Sequence, residues 1–344
     1  MLARYNVITR RAENGHLDFV AVVFTLACAV AIVVAGIYFR GLEPMDLWSI
    51  GIYEGVDPLH LHVAAGVQRQ PVLRAADVTD ASAKFVADPF LIREENRWWM
   101  FLEVLNKKSH RGEIAVASSC DGIAWRYDRI VLREPFHLSY PYVFRAEDGY
   151  FMIPECGQAG AVRLYRAVNF PYQWRFEREL LSGRYADSSV VRFADRWWLF
   201  AQRDARVLTL HSADQIDGPW SEHPASPIST DTLGVSRPGG RIAIWGGRVL
   251  RFSQDCRGTY GRRVRVFAVE ELTTLRYRER ELPESPVLDA SGIGWNADGM
   301  HHLDAMQVTP ERWIAAVDGK RIGRHFNWRR GLRPLGSGRP TQRA

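Results

Sequence analysis

The sequence predicts an all-β fold, a five-bladed β-propeller preceded by one N-terminal transmembrane helix. Three observations support this prediction: an apolar run near the N-terminus, a hairpin pattern that recurs five times, and a high aromatic content. Aromatic residues make up 12% of the chain, and such residues are enriched in strands. The hydrophobic fraction of 47% is sufficient for a sizeable core and excludes disorder throughout the chain.

The apolar run covers residues 19–39 and is interrupted only by Thr25 and Gly36. At a rise of 1.5 Å per residue it is about 31 Å long, which matches the hydrocarbon core of a bilayer. The alternative is a cleavable signal peptide, whose apolar region is shorter and is followed by small residues. Residues 37–40 do not fit such a cleavage site. We therefore expect an uncleaved single-pass anchor.

The charges that flank this run predict its orientation and the division of the remaining chain. Three arginines precede the run and one follows it directly, namely Arg4, Arg10, Arg11 and Arg40. The positive-inside rule then places residues 1–18 in the cytoplasm and the propeller on the extracytoplasmic side of the inner or plasma membrane. We expect a linker at 40–60, the propeller at 61–326 and a basic disordered tail at 327–344, which contains no acidic residue.

The recurring hairpin is clearest in two segments, Asn96-Arg-Trp-Trp-Met-Phe101 and Asp195-Arg-Trp-Trp-Leu-Phe200. Looser copies begin at Asp148, Gly247 and Glu311. Each copy lies among about four short strand-like runs, and repeats of this kind are typical of propeller blades. A β-sandwich with accidental spacing is the alternative. The stretch Gln70-Pro-Val-Leu73 resembles an outer strand without a blade of its own, and we expect it to complete the last blade.

Alignment of the five hairpins shows one polar position in every second strand, and a further set fifteen residues upstream. The second strands carry Glu103, Glu155, Gln202, Gln254 and Asp318, and the upstream set is Asp88, Tyr140, Asp187, Gly239 and Leu303. Antiparallel pairing would place the two positions of each hairpin opposite each other. All five pairs would then surround one mouth of the central channel. Simple solvation of strand ends is the alternative to a ligand-binding mouth.

Several other residues near this mouth are candidates for binding. Arg237 opens the fourth blade and could cover an anion, and His302 and Asp304 at the entrance of the fifth blade suit hydrogen bonding or proton transfer. The loops that leave the second strands form a basic rim, which suits a substrate with hydroxyls and a phosphate or carboxylate. The rim consists of Lys107, Lys108, His110, Arg111, Arg203, Arg206, Arg257, Arg262 and Arg263.

Cofactors and nucleic acid are not expected as partners. The two histidines at the fifth blade lack a third metal ligand at a suitable spacing, so the sequence predicts no metal and no other cofactor. No Walker loop or dinucleotide-binding glycine pattern occurs. The net charge of +6 is small for 344 residues and does not indicate nucleic-acid binding.

An ordered series of motifs resembles a known family. The motifs are Ala87-Asp-Pro-Phe90, Trp99-Met-Phe-Leu-Glu-Val104, Gly112-Glu-Ile, His137-Leu-Ser-Tyr-Pro141, Met152-Ile-Pro-Glu155, Asp187-Ser188, Gln254-Asp-Cys256 and Tyr260-Gly261. The series is similar to the N-terminal domain of glucosamine inositolphosphorylceramide transferases and to stand-alone bacterial relatives, over most of residues 85–305. This resemblance implies a five-bladed propeller related to arabinanases, xylosidases and fructosidases. Plant members carry a separate glycosyltransferase domain after the propeller, and we expect this chain to lack it.

The resemblance also implies roles for individual residues. Asp88 matches the base of the glycosidase propellers, and Asp187 lies near the position of their general acid. Glu155 with Cys156 resembles the Glu-Cys pair of fructosidases, although in a different blade. Tyr140 stands where a second acidic residue is expected. Catalytic roles are therefore predicted for Asp88, Glu155 and Asp187, and substrate contacts for Glu103, Tyr140, Gln202, Arg237, Gln254, Asp255, His302 and Asp304.

The leading functional prediction is a membrane-anchored, glycan-active propeller that transfers glycosyl groups in cell-surface polysaccharide or glycolipid biosynthesis. Its expected partners are the membrane and a sugar or glycolipid substrate, with phosphorylation of that substrate as an option. One alternative is a non-catalytic module that binds glycans or phospholipids and docks a partner glycosyltransferase. The other is a glycoside hydrolase that trims exported polysaccharide.

Overall fold

The computed structural model describes residues 23–146, 149–205, 207–230, 234–328 and 332. These residues include one long helix, α1 (Val23–Gly41), whose 19 residues are nearly all exposed, and by length and composition it could cross a membrane. The predicted segment 1–18, the first four residues of the predicted span and most of the predicted tail lie outside the described residues. The chain divides into two units, Met1–Asp46 with Ile322–Ala344, and Leu47–Arg321.

Five antiparallel sheets form the five blades and confirm the predicted propeller. The first blade contains β3 (Ala83–Glu94), β4 (Arg97–Asn106), β5 (Gly112–Ser119) and β6 (Arg126–Leu132), and the second contains β7 (Ser139–Ala146), β8 (Gly149–Glu155), β9 (Ala161–Asn169) and β10 (Gln173–Ser182). The third contains β11 (Tyr185–Phe193), β12 (Arg196–Arg203), β13 (Val207–Ala213), β14 (Ser221–Glu222) and β15 (Ser229–Thr230). The fourth contains β16 (Ala243–Trp245), β17 (Arg248–Asp255), β18 (Arg263–Leu272), β19 (Tyr277–Glu281) and β20 (Leu288–Asp289).

The fifth blade joins strands from opposite ends of the chain. It consists of β1 (Leu42–Gly55), β2 (Leu61–Val63), β21 (Leu303–Thr309) and β22 (Arg312–Phe326), in the order β2-β1-β22-β21. Residues 40–60, which we expected to be a linker, thus contain a strand of the last blade. Only three buried apolar side chains alternate along β1, namely Trp48, Ile50 and Ile52, so the local strand pattern is short.

The segment Gln70–Leu73 lies beside the fifth blade without forming an outer strand. Its contact with β1 is an isolated bridge, in which the Ile50 N–H donates to the Leu73 carbonyl at 2.9 Å. The expected completion of the blade is therefore carried out by β1 and β2, with this segment packed alongside them.

Aromatic side chains of the second strands fill the space between blades. Trp99 and Phe101 pack against the second blade, and Trp198 and Phe200 lie between the third and fourth blades. Phe101 and Phe200 are fully buried, and each contributes about 1.5–3 kcal/mol to stability through burial. This packing sets the positions of the strand ends around the central channel.

Candidate active site

Three β-bulges direct side chains towards the centre of the propeller. In the first blade Ala87 pairs with Glu103 and Phe90 with Phe101, so two residues of β3 oppose one residue of β4. The same irregularity occurs at the start of β7 and of β11. The expected pairing of residue 88 with residue 103 is therefore displaced by one position. A bulge re-aims the side chain of its extra residue, which here is Asp88 in the first blade.

The bulged residues share an unusual backbone conformation. Asp88, Tyr140 and Asp187 have φ values of 51°, 45° and 52°, in the left-handed region. This region is uncommon for residues other than glycine, and such residues cluster at functional sites. Asp tolerates it better than Tyr does. Three of the five blades thus present a strained residue at the same position of the mouth.

The carboxylate of Asp88 is buried and lies among groups from two other blades. Its Oδ2 accepts the backbone N–H of Tyr140 at 3.1 Å, and its own N–H donates to Asp318 Oδ2 at 3.1 Å. His301 Nε2 lies 3.6 Å from Asp88 Oδ1. Burial raises the pKa of Asp88 to about 7; His301 opposes this rise, and the charges of Asp318 and Asp187 add to it. Asp88 therefore titrates near neutral pH.

Asp318 and His301 form a hydrogen-bonded pair beneath Asp88. Asp318 Oδ1 accepts from His301 Nδ1 at 2.8 Å and from the backbone N–H groups of His301 and His302 at 3.2 and 3.1 Å. Burial alone would raise the pKa of Asp318, but the charge and hydrogen bond of His301 lower it below its ordinary value. Burial likewise opposes protonation of His301, yet Asp318 raises the pKa of the imidazole. Both shifts favour the ion-paired form, in which Asp318 is ionised and His301 is protonated.

Trp48 supports this pair from the N-terminal strand. Its ring stacks on His301 with centroids 4.0 Å apart and planes inclined by 22°. Gly261 makes the close approach of its loop possible, because a Cβ there would lie 2.6 Å from the Trp48 ring. Trp48 lies in the segment that the sequence predicted to be a linker, and Asp318 and His301 were not among the predicted site residues. Asp318 did stand in the polar register of the second strands, which is the signal that could have identified it.

Asp187 is held by two donors from the fourth blade. Arg237 Nε and Nη2 donate to its two carboxylate oxygens at 2.5 and 3.2 Å, and Gln254 Nε2 donates to Oδ2 at 2.7 Å. Such bidentate pairs with arginine favour the ionised carboxylate. Burial opposes the charge of Arg237, but Asp187 raises the pKa of the guanidinium well above its ordinary value. The anion that Arg237 covers in this structure is thus Asp187 of the protein itself.

Glu155 and Glu103 are two further carboxyl groups of the mouth, and the pKa of each is raised. Burial, followed by the charge of Asp187, raises the pKa of Glu155, whose oxygens accept from Gly157 N–H at 2.9 Å and Ser139 Oγ at 3.3 Å. Burial and the charges of Asp88 and Glu155 raise the pKa of Glu103 well above its ordinary value. Glu103 is 5% exposed, and its Oε1 has no hydrogen-bond partner among the described residues. Burial in the mouth therefore favours the protonated form of both glutamates.

Two predicted substrate contacts are engaged with the protein near this centre. The Tyr140 hydroxyl donates to the Gly240 carbonyl at 2.9 Å and accepts the Gly240 N–H at 2.7 Å, so its fully buried side chain connects two blades. Gln202 Nε2 donates to Ser236 Oγ at 2.7 Å. Their predicted contacts with substrate stay predictions.

Three other predicted residues lie in separate hydrogen-bond networks. His302 Nε2 bonds to the Pro89 carbonyl at 2.9 Å, and burial lowers the pKa of the ring to about 4. Asp304 is fully buried and accepts from Arg241 Nε at 2.5 Å. Asp255 alternates with Gln254 along β17 and so points to the other face of the sheet, where Arg257 and Arg265 donate to its carboxylate at 2.7 and 2.8 Å. These networks do not include Asp187.

The basic rim carries counter-charges of its own. Arg203 pairs with Glu222 at 2.9 Å, and Arg263 pairs with Asp289 at 2.9 Å. Arg257 is occupied by Asp255, as described above, and Arg206 lies outside the described residues. These ion pairs reduce the positive charge that the rim could offer to an anionic substrate.

One group in the centre has suitable atoms for a metal ion. The ligand atoms of Asp88, His301 and Asp318 lie within 4.8 Å of one another, and two carboxylates with an imidazole can hold a divalent cation. In this structure Asp318 instead accepts the His301 Nδ1–H and the Asp88 N–H. The expectation that the protein uses no metal stays a prediction.

Comparison with known proteins agrees with the motifs and the fold. Residues 42–320 match the family described as "Glucosamine inositolphosphorylceramide transferase 1, N-terminal". The chain is 37% identical over 312 residues to glucosamine inositolphosphorylceramide transferase 1 of Oryza sativa subsp. indica, and 33% identical over 301 residues to the protein of that name from Arabidopsis thaliana. The alignments cover 83% and 80% of this chain but 41% and 39% of the relatives, so the chain spans about two fifths of their length.

A solved structure shows the same fold at low sequence identity. The catalytic domain of the Coprinopsis cinerea GH62 alpha-L-arabinofuranosidase superposes with a TM-score of 0.53 and 12% identity, covering 78% of this chain and 97% of that domain. This likeness concerns the propeller architecture alone. Taken with the match over residues 42–320, the sequence relatives place the protein in a family: the chain belongs to the glucosamine inositolphosphorylceramide transferase N-terminal family.

Proposed function

We propose that this propeller is a glycan-active catalytic domain that takes part in glycosyl transfer during glycolipid or cell-surface polysaccharide biosynthesis. The relatives are named as transferases of glucosamine and inositolphosphorylceramide, which supports a sugar substrate and a glycolipid acceptor. The observation that carries the proposal is the buried group of carboxyls at the mouth, in which the pKa values of Asp88, Glu155 and Glu103 are raised. Asp88, with a pKa of about 7, lies in the electrostatic field of Asp187, which Arg237 and Gln254 hold.

We assign distinct roles to the three predicted catalytic residues. The ionised form of Asp88 accepts the proton of the attacking hydroxyl while that oxygen forms its bond to the anomeric carbon. Glu155, with its raised pKa, donates a proton to the leaving-group oxygen as the old glycosidic bond breaks. The Asp187 carboxylate, which Arg237 and Gln254 hold in place, stabilises the positive charge that develops on the sugar ring.

A non-catalytic glycan-binding module is the second candidate, and one observation favours it. The second blade presents Tyr140 where the glycosidase propellers are expected to carry an acid, and the Tyr140 hydroxyl is bonded to Gly240. A module of this kind would present a sugar or phospholipid to a partner glycosyltransferase. The hydrolase alternative requires the same carboxyl groups as the transfer reaction, with water as the acceptor.

The test uses the full chain in detergent, with a panel of nucleotide sugars as donors and inositolphosphorylceramide as acceptor. Release of reducing sugar without acceptor measures hydrolysis. Asp88→Asn should lower kcat by about 100-fold to 10,000-fold, since it removes the proton acceptor. Asp214→Asn is the matched control, because that carboxylate is exposed and pairs with Arg196 at the start of β12, away from the mouth. Unchanged turnover in Asp88→Asn would refute the catalytic role, and retained thermal stabilisation by a donor sugar would then support the binding module.

We also propose that α1 anchors the protein as a single membrane span, with the N-terminus in the cytoplasm and the propeller outside it. The length and composition of α1 support the span. The arginines that precede it support the orientation. Protease treatment of inverted membrane vesicles should leave the propeller intact until the vesicles are lysed. Digestion of the propeller in sealed inverted vesicles would refute the orientation.

A further inference from the structure

The end of β22 is fastened to the end of α1. The Phe326 ring stacks on Tyr38 with centroids 5.4 Å apart and planes inclined by 19°. The Asn327 N–H donates to the Gly41 carbonyl at 2.7 Å, and its side-chain amide donates to Glu43 at 3.2 Å. A Cβ at position 41 would lie 2.4 Å from the Phe326 ring, so the contact depends on glycine. The C-terminal part of the chain therefore starts beside the helix.

The position of this contact along α1 corresponds to a membrane interface. The 19 residues of α1 measure about 28 Å, close to the thickness of a hydrocarbon core. Tyr38 lies three residues, about 4.5 Å, before the end of the helix. If α1 spans the bilayer, Tyr38 and the stacked Phe326 lie where the lipid headgroups begin, a zone in which Tyr and Trp are enriched. Trp328, which is 60% exposed, follows two residues later.

Arginines accompany these aromatic side chains. Arg40 and Arg324 are both exposed. Residues 321–344 contain seven arginines and no Asp or Glu. Each cation close to an anionic membrane surface increases affinity about fivefold at physiological salt. An aromatic surface with exposed arginines, attached to the end of an apolar helix, is complementary to anionic headgroups.

We propose that Tyr38, Arg40, Arg324, Phe326 and Trp328 form an interfacial patch that binds anionic phospholipids at the bilayer surface. The aromatic rings insert at the level of the headgroups, and the guanidinium groups pair with lipid phosphates. The inference rests on the proposed membrane span and is independent of catalysis at the mouth of the propeller. Its consequence is a shell enriched in anionic lipid around α1.

The experiment measures lipid selectivity at the full chain reconstituted into phosphatidylcholine vesicles. Spin-labelled phosphatidylglycerol and phosphatidylcholine report the fraction of each lipid that is immobilised at the protein. The native protein should favour phosphatidylglycerol several-fold at low salt, and this preference should shrink at 0.5 M salt. Arg40→Gln with Arg324→Gln should reduce this ratio to about one, because it removes the two cations of the patch.

A matched control changes the same charge elsewhere. Arg276→Gln with Arg278→Gln removes two exposed arginines at β19, which pair with Glu271 and Glu270, and should leave the lipid ratio unchanged. Equal binding of both lipids by the native protein, or an unchanged ratio in the Arg40 and Arg324 variant, would overturn the patch. Extraction of the native chain by alkaline carbonate would overturn the span and the patch together. Retention of the chain with no lipid preference would overturn the patch alone.

Discussion

Replacement of Asp88 by asparagine should stabilise the folded protein above pH 7 while it removes the proposed catalytic base. The carboxyl is buried, and its pKa is raised from 3.8 to about 7. The folded state therefore binds the proton more tightly than the unfolded state does. Between about pH 4 and pH 7 the unfolded chain releases this proton and the folded chain keeps it, so stability falls as the pH rises through this window.

The size of this effect on the free energy of unfolding follows from the pKa shift of Asp88. A shift of about 3 pKa units corresponds to about 4 kcal/mol at pH 8, and to about 1 kcal/mol at pH 4.5. Asparagine has no charge to bury and can still accept the Tyr140 N–H that bonds to Asp88 Oδ2. Its amide can also donate to His302 Nδ1, which lies 3.8 Å from Asp88 Oδ1 and has no hydrogen-bond partner among the described residues. After relaxation we expect a gain of about 2–4 kcal/mol at pH 8.

The assay is thermal unfolding of the full chain in detergent at pH 4.5 and pH 8. The Tm of Asp88→Asn should exceed that of the native protein by about 5–10 °C at pH 8 and by much less at pH 4.5. Asp255→Asn should instead have a lower Tm than the native protein at both pH values. The reason is that Arg257 and Arg265 overcome the effect of burial and lower the pKa of Asp255, so its ionised form stabilises the folded state. A Tm of Asp88→Asn below the native value at pH 8, or an equal gain at both pH values, would refute the reasoning.

Three further substitutions test how the centre is held. Arg237→Met leaves the buried carboxylate of Asp187 without its bidentate partner; we expect a loss of about 3–5 kcal/mol in urea unfolding, and a change below about 1 kcal/mol would contradict it. Trp48→Ala removes the ring that stacks on His301 and should cost about 3–5 kcal/mol in the same assay, whereas Trp48→Phe should recover part of it. Gly240→Ala should abolish soluble folded protein, because the added Cβ would lie 1.8 Å from a backbone carbonyl of the fifth blade at a φ of +131°; normal yield and Tm would count against this close packing.

The sequence was informative wherever a structural feature depends on neighbouring residues. The Trp-Trp and Phe side chains of β4 and β12 stand in short continuous apolar runs, and a turn precedes each run. Such local patterns predict a hairpin without any knowledge of residues that are distant in the sequence. The repetition of the hairpin then predicted the number of blades, and the apolar run predicted α1. The polar register of the second strands also identified Glu103 and Gln254 as inward-facing positions.

Features that depend on closure of the propeller ring could not be predicted from the sequence. β1 carries only a short apolar alternation, and its partner β22 lies at the other end of the chain. The sequence therefore predicted a linker at Trp48, although its ring stacks on His301 of the candidate site. The bulges likewise shifted the register by one residue, because extra residues in a strand leave no clear sign in its hydrophobic pattern.

The hydrogen-bond partners and the pKa shifts of the central groups also depend on closure of the ring. Asp88 bonds to Asp318, 230 residues away, and to Tyr140, 52 residues away. Its pKa depends on burial and on charges that the third, fourth and fifth blades bring close to it. Alternation and turn chemistry act over a few residues, and so a sequence shows them directly. Desolvation and Coulomb interactions depend on distances in three dimensions, and only the closed propeller sets those distances.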